Sequence, residues 1–127
     1  MSKNDLEERI IDFAVRVIQL GENIKRTYAG IHLSGQLIRA GSSAALNYGE
    51  AQSAESRRDF IHKLKVTLKE LRETNVNLKI IYRLKIFKDP LEIHWALNEV
   101  NELISIFVAS ATTATKNLNE SRTTKAL

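Results

Sequence analysis

Apolar residues recur at three- and four-residue steps along most of this chain, and no stretch shows the strict alternation of a half-buried strand. Leu6, Ile10, Phe13, Val17, Leu20 and Ile24 predict a helix over residues 5–26, with Asp5, Glu7 and Glu8 near the positive end of its dipole. Leu33, Leu37, Ala40, Ala44 and Tyr48 predict a second helix over 31–52. Phe60, Leu64, Leu68, Leu71, Leu78 and Tyr82 predict a third over 56–86. A fourth helix starts sharply, since Asp89 can cap it and Pro90 suits its first position, where the missing N–H is no loss. Its apolar residues Ile93, Leu97, Val100, Ile104, Phe107, Ala111 and Ala114 keep a heptad spacing, which predicts a helix over 90–115. The remainder, 116–127, is polar and aperiodic and reads as a flexible C-terminal tail. Four amphipathic helices joined by short connections pack most simply as an antiparallel up-and-down four-helix bundle, an all-α domain over 1–115.

Composition sharpens this picture. One proline and five glycines in 127 residues leave little material for a loop-rich β fold. There is no cysteine, so disulfides, thiolate zinc sites and cysteine nucleophiles are excluded. The first residues are charged and lack a signal-peptide core, and no stretch approaches the roughly 18 to 20 apolar residues of a membrane span. A cytoplasmic protein with no membrane partner is expected. The net charge of +4 is unevenly spread: residues 57–88 carry ten Lys/Arg against three Asp/Glu, whereas the flanks are slightly acidic. A basic segment between such flanks suggests an anionic partner, with solubilising surface lysines as the plainer alternative.

Catalytic chemistry is hard to find. His32, His62 and His94 lack metal-site spacing, and there is no phosphate loop and no Glu-x-x-His pair. No catalytic residue, metal or cofactor is expected. Helix 3 is the informative element. At about 100° per residue, Lys65, Lys69, Arg72, Lys79 and Arg83 fall within roughly 40° of one another and form a stripe about 27 Å long. That length tracks several phosphates of a nucleic-acid backbone. Arg57 and Arg58 add to the field at the helix start. Taking Leu64, Leu71 and Tyr82 as the centre of the buried face places the stripe about 110° from the core.

Helix 2 carries two further patterns. Gln36, Arg39, Ser43, Asn47 and Glu50 form a polar ridge, readable as a solvent face or as a hydrogen-bonded network. Arg39 is expected to pair with Glu70 or Glu73 of helix 3. Gly41, Ala45 and Gly49 lie at i, i+4 and i+8, implying either close approach of a neighbouring backbone or a weakened helix.

The run Gln36-Leu37-Ile38-Arg39-Ala40-Gly41-Ser42-Ser43, then Asn47-Tyr48-Gly49-Glu50-Ala51, Ala54-Glu55-Ser56 and Asp59-Phe60-Ile61-His62-Lys63-Leu64, resembles a family of bacterial four-helix-bundle proteins encoded in intervening sequences of large-subunit ribosomal RNA genes. Leu68-Lys69-Glu70-Leu71-Arg72-Glu73-Thr74 also fits that pattern, and the likeness covers roughly residues 5–115. The family is similar to the accessory variability protein of diversity-generating retroelements, a homopentamer that binds nucleic acid and a reverse transcriptase. The resemblance therefore implies a pentamer. Asn75, Val76 and Asn77 stand where related sequences often carry bulky aromatics, and Gly49 where they carry a larger side chain. Together these readings predict a non-enzymatic, oligomeric bundle that binds RNA or DNA phosphates, with a protein-interaction module as the alternative.

Overall fold

In a computed structural model that describes residues 2–126, the chain forms four helices and, among the described residues, no strand: α1 Lys3–Glu22, α2 Tyr28–Gln52, α3 Arg57–Leu84 and α4 Pro90–Ala126. Each begins at a side chain able to accept from an otherwise unpaired N–H. Ser2 accepts from the Asp5 amide while Asp5 accepts from the Ser2 amide, a reciprocal capping box. Thr27 caps α2 through the Gly30 amide (3.1 Å), Ser56 caps α3 through Asp59 (3.0 Å), and Asp89 accepts from Leu91 (2.9 Å). At the far end of α3, Lys85 takes the left-handed conformation (φ 55°) and closes the helix.

The helix boundaries differ from the periodic pattern in instructive ways. α1 ends at Glu22 rather than 26, yet Ile24 still packs into the core from the connection, which is why the period seemed to continue. α2 starts three residues early, at its Thr27 cap. α4 does not stop near 115: it stays helical to Ala126, with Leu118 half-buried against the core one step past Ala114.

Helix α1 packs on α2 and α4, and α3 packs on the same two neighbours. α1 and α3 occupy diagonal corners without close backbone approach among the described residues. The core between them is built on Phe13, Val17, Leu37, Leu71, Leu78, Val100 and Phe107, and Tyr48 meets Phe107 edge-on at 5.0 Å between ring centroids. In α4 the buried seam is Ile93, Ala96, Val100, Leu103 and Phe107, while Leu97 and Ile104 sit half-buried at its edge. The seam keeps the heptad repeat, with Ala96 and Leu103 in the places the pattern gave to Leu97 and Ile104.

Two glycines permit close approaches. A Cβ at Gly41 would lie 2.8 Å from Val17 Cγ1, so α1 and α2 touch there. A Cβ at Gly30 would lie 1.8 Å from the Lys25 carbonyl, so the tight connection from α1 to α2 requires glycine. By contrast, nothing lies within 4 Å of a Cβ built at Gly49. The small-residue row of α2 is a packing device at its first member and open at its last.

Candidate nucleic-acid interface

The buried face of α3 is centred on Thr67, Leu71, Thr74 and Leu78, with Ile81 behind them. Thr67 and Thr74 can enter the core because their hydroxyls donate to the Lys63 and Glu70 carbonyls, at 2.9 and 2.8 Å. This corrects the placement of the core: Tyr82 lies on the exposed side of the count, and the cationic stripe stands almost opposite the buried face instead of flanking it. Lys65, Lys69, Arg72, Lys79 and Arg83 are all exposed, and among the described residues none of them is in an ion pair. Arg57 and Arg58 are exposed at the start of the same helix.

The acids that could neutralise the stripe are occupied elsewhere. Arg39 of α2 donates to Glu70 (3.2 Å) and to Glu73 (2.6 Å), so the pairing expected of it is made with both. The Glu73 hydrogen bond, followed by the attraction of both carboxylates, raises the Arg39 pKa above its ordinary value. Lys63 pairs with Glu50 at 2.6 Å, and that hydrogen bond raises its pKa too. The polar ridge of α2 is therefore the near wall of an α2–α3 seam, neither a plain solvent face nor a sealed network. Within it, Asn47 donates to the Ser43 carbonyl and hydroxyl, and Gln36 is exposed. Gln36 and Arg39 line one groove with Lys65, Lys69 and Arg72. The structure thus brings two residues of the ridge to the first three cations of the stripe.

Val76 stands exposed among the cations, Asn77 donates to the Glu73 carbonyl, and Asn75 Oδ1 is buried with no hydrogen-bond partner among the described residues. Three ion pairs between α1 and α4 escaped the sequence reading because spacing along each helix does not give the register between two neighbouring helices. Arg9 donates to Glu99 at 2.7 Å and also to Glu102, and the Glu99 hydrogen bond holds it firmly charged. Arg16 donates to Glu92 at 2.8 Å with its guanidinium 3.5 Å from the centre of the Trp95 ring. His32, His62 and His94 are exposed, and no cluster of three or more metal-ligating side chains occurs among the described residues.

The profile of the 23S rRNA-intervening sequence protein family matches residues 2–109. The chain belongs to this family. Comparison with curated proteins gives no match. Among solved structures, this family member is similar to a protein of unknown function from the S23 ribosomal protein family of Bacteroides thetaiotaomicron, with 28% identity and a TM-score of 0.79 over 88% of this chain and 99% of that one. The family match ends inside α4, well short of the helix end at Ala126. No helix among the described residues is long and apolar enough to cross a membrane.

Proposed function

We propose that this protein is a non-enzymatic, cytoplasmic, homo-oligomeric bundle that binds the phosphate backbone of RNA or DNA. The observation that carries this reading is the uncompensated stripe: five exposed cations on α3, opposite the core, while Glu70, Glu73 and Glu50 are engaged by Arg39 and Lys63. Phosphates are favoured over a point-like anion because the row extends about 27 Å. The helices run antiparallel in this reading, supported by pairs whose numbers rise on one helix as they fall on the next: Arg39 with Glu70, then Glu50 with Lys63, and Arg9 with Glu99, then Arg16 with Glu92.

Self-association is supported by large apolar residues left exposed on α1 (Ile11 and Val15) and α2 (Ile31 and Leu46). The likeness to the retroelement accessory protein favours five copies, and repeating the stripe around a ring strengthens binding through effective concentration. The same exposed apolar residues support a protein partner, such as a polymerase, as the second reading. The test is an anisotropy titration with structured RNA, duplex DNA and a neutral polymer at several salt concentrations. Binding to both nucleic acids with a log–log salt slope of about −3.5 to −4.5, for five contacts at 0.7 to 0.9 each, supports the proposal. Salt-independent or absent binding transfers the function to the protein-partner reading.

A further inference from the structure

We infer that the end of the bundle carrying the α1–α2 and α3–α4 connections is a stacking site for the bases of single-stranded nucleic acid. The inference rests on the phosphate-binding reading above and extends it to a strand class and a second set of residues. The two connections are joined there: the Lys25 amide donates to the Ile86 carbonyl at 2.9 Å. That bond brings together Lys25 and Arg26 from one connection and Lys85 and Lys88 from the other, next to Arg83 at the end of the stripe. All five are exposed, and none is in an ion pair among the described residues. Asp89, the nearest acid in the second connection, is engaged in capping α4. The basic track of α3 therefore continues past the helix and spreads over the end of the molecule.

Aromatic rings stand on the same end. Tyr28, the first residue of α2, is 94% exposed and so meets almost nothing of its own chain. The backbone that carries it is fixed, because it follows the Thr27 cap and precedes Gly30, where the backbone presses on the Lys25 carbonyl. Tyr82 is 39% exposed and held by neighbouring rings: it lies parallel to Phe87 (7°, centroids 5.8 Å apart), with His94 edge-on at 5.3 Å. Burying nothing, Tyr28 has no structural use within the subunit. Cations that follow a backbone, together with exposed aromatic rings, are what sequence-tolerant binding of a single strand requires. A duplex keeps its bases stacked inside and offers a tyrosine no face, so the rings add nothing to duplex binding.

The experiment compares a 12-nucleotide oligouridylate with a 12-base-pair RNA duplex by fluorescence anisotropy, for the parent protein, Tyr28→Ala, Tyr28→Phe and Lys69→Glu/Arg72→Glu. Tyr28→Ala is expected to weaken oligouridylate binding roughly 5- to 150-fold and to change duplex binding less than twofold, while Tyr28→Phe keeps both. The charge-reversed variant is expected to lose both ligands. If Tyr28→Ala binds oligouridylate like the parent, or weakens the duplex equally, the stacking site is wrong while the phosphate reading stands. If the parent binds neither ligand, both fall together. Tyr82→Leu, checked by circular dichroism for retained fold, gives the same comparison at the second ring, and an unchanged oligouridylate affinity there removes Tyr82 from the site.

Discussion

Replacing Arg39 with alanine tests how the α2–α3 seam is held. The arginine side chain is 52% exposed, and an ion pair between two such groups contributes about 0 to 1 kcal/mol. Glu70 is different: only 10% of its side chain is exposed, so Arg39→Ala leaves a nearly buried carboxylate without its counter-charge. Removing one partner of a fully buried pair costs about 3 to 5 kcal/mol. This half-open seam lies between those limits and nearer the first, at about 1 to 2 kcal/mol. For a domain of this size that lowers the Tm by about 4 to 8 °C. Most of the loss comes from the stranded charge, so Arg39→Ala/Glu70→Gln is expected to melt above Arg39→Ala alone, a sign that simple addition of two losses does not produce. Thermal melts at neutral pH with a double-mutant cycle read this directly. An unchanged Tm for Arg39→Ala, or a double variant less stable than Arg39→Ala, refutes the reasoning.

Three further outcomes follow from the packing. Gly41→Ala forces a Cβ against Val17 and should cost about 1 to 3 kcal/mol, whereas Gly49→Ala meets nothing within 4 Å and should stabilise the subunit by up to about 1 kcal/mol, both read by urea unfolding. Phe107→Ala empties the centre of the core and should cost about 3 to 5 kcal/mol, seen as a lower urea midpoint at unchanged m. Burial raises the Tyr48 pKa, with a smaller opposing contribution from Gln52. Its neutral form is thus favoured in the fold, so stability is intact below the unfolded tyrosine value of about 10 and lost as pH rises above it. Tyr48→Phe should remove part of that alkaline loss in melts between pH 9 and 11.

The helices were legible in the sequence because each buries one face and the spacing of Leu6 to Ile24 or Leu37 to Tyr48 has no other use. Their ends were less so. Thr27 caps α2, but the glycine and exposed residues after it carry no apolar period, so the helix seemed to begin at Ile31. The polar residues after Ala114 gave no amphipathic signal, yet nothing among them breaks a helix, and α4 continues through them. On α3 the cationic row was visible from spacing alone. Its true angle to the core was not, since Thr67 and Thr74 look polar and become core residues only once their hydroxyls find carbonyls. The loop-end cations were hidden for a different reason: Lys25 and Lys85 are 60 positions apart and become neighbours only through tertiary packing.

The central claim, that the α3 stripe holds phosphates, is tested most directly by the salt dependence of RNA binding for the parent and for Lys69→Gln/Arg72→Gln. Both residues are exposed and outside any ion pair among the described residues, so the variant should fold and assemble like the parent. Removing two contacts should weaken binding and make the log–log salt slope shallower by about 1.4 to 1.8. A variant with the parent's affinity and the parent's slope would contradict the account and leave the stripe a solvated helix face.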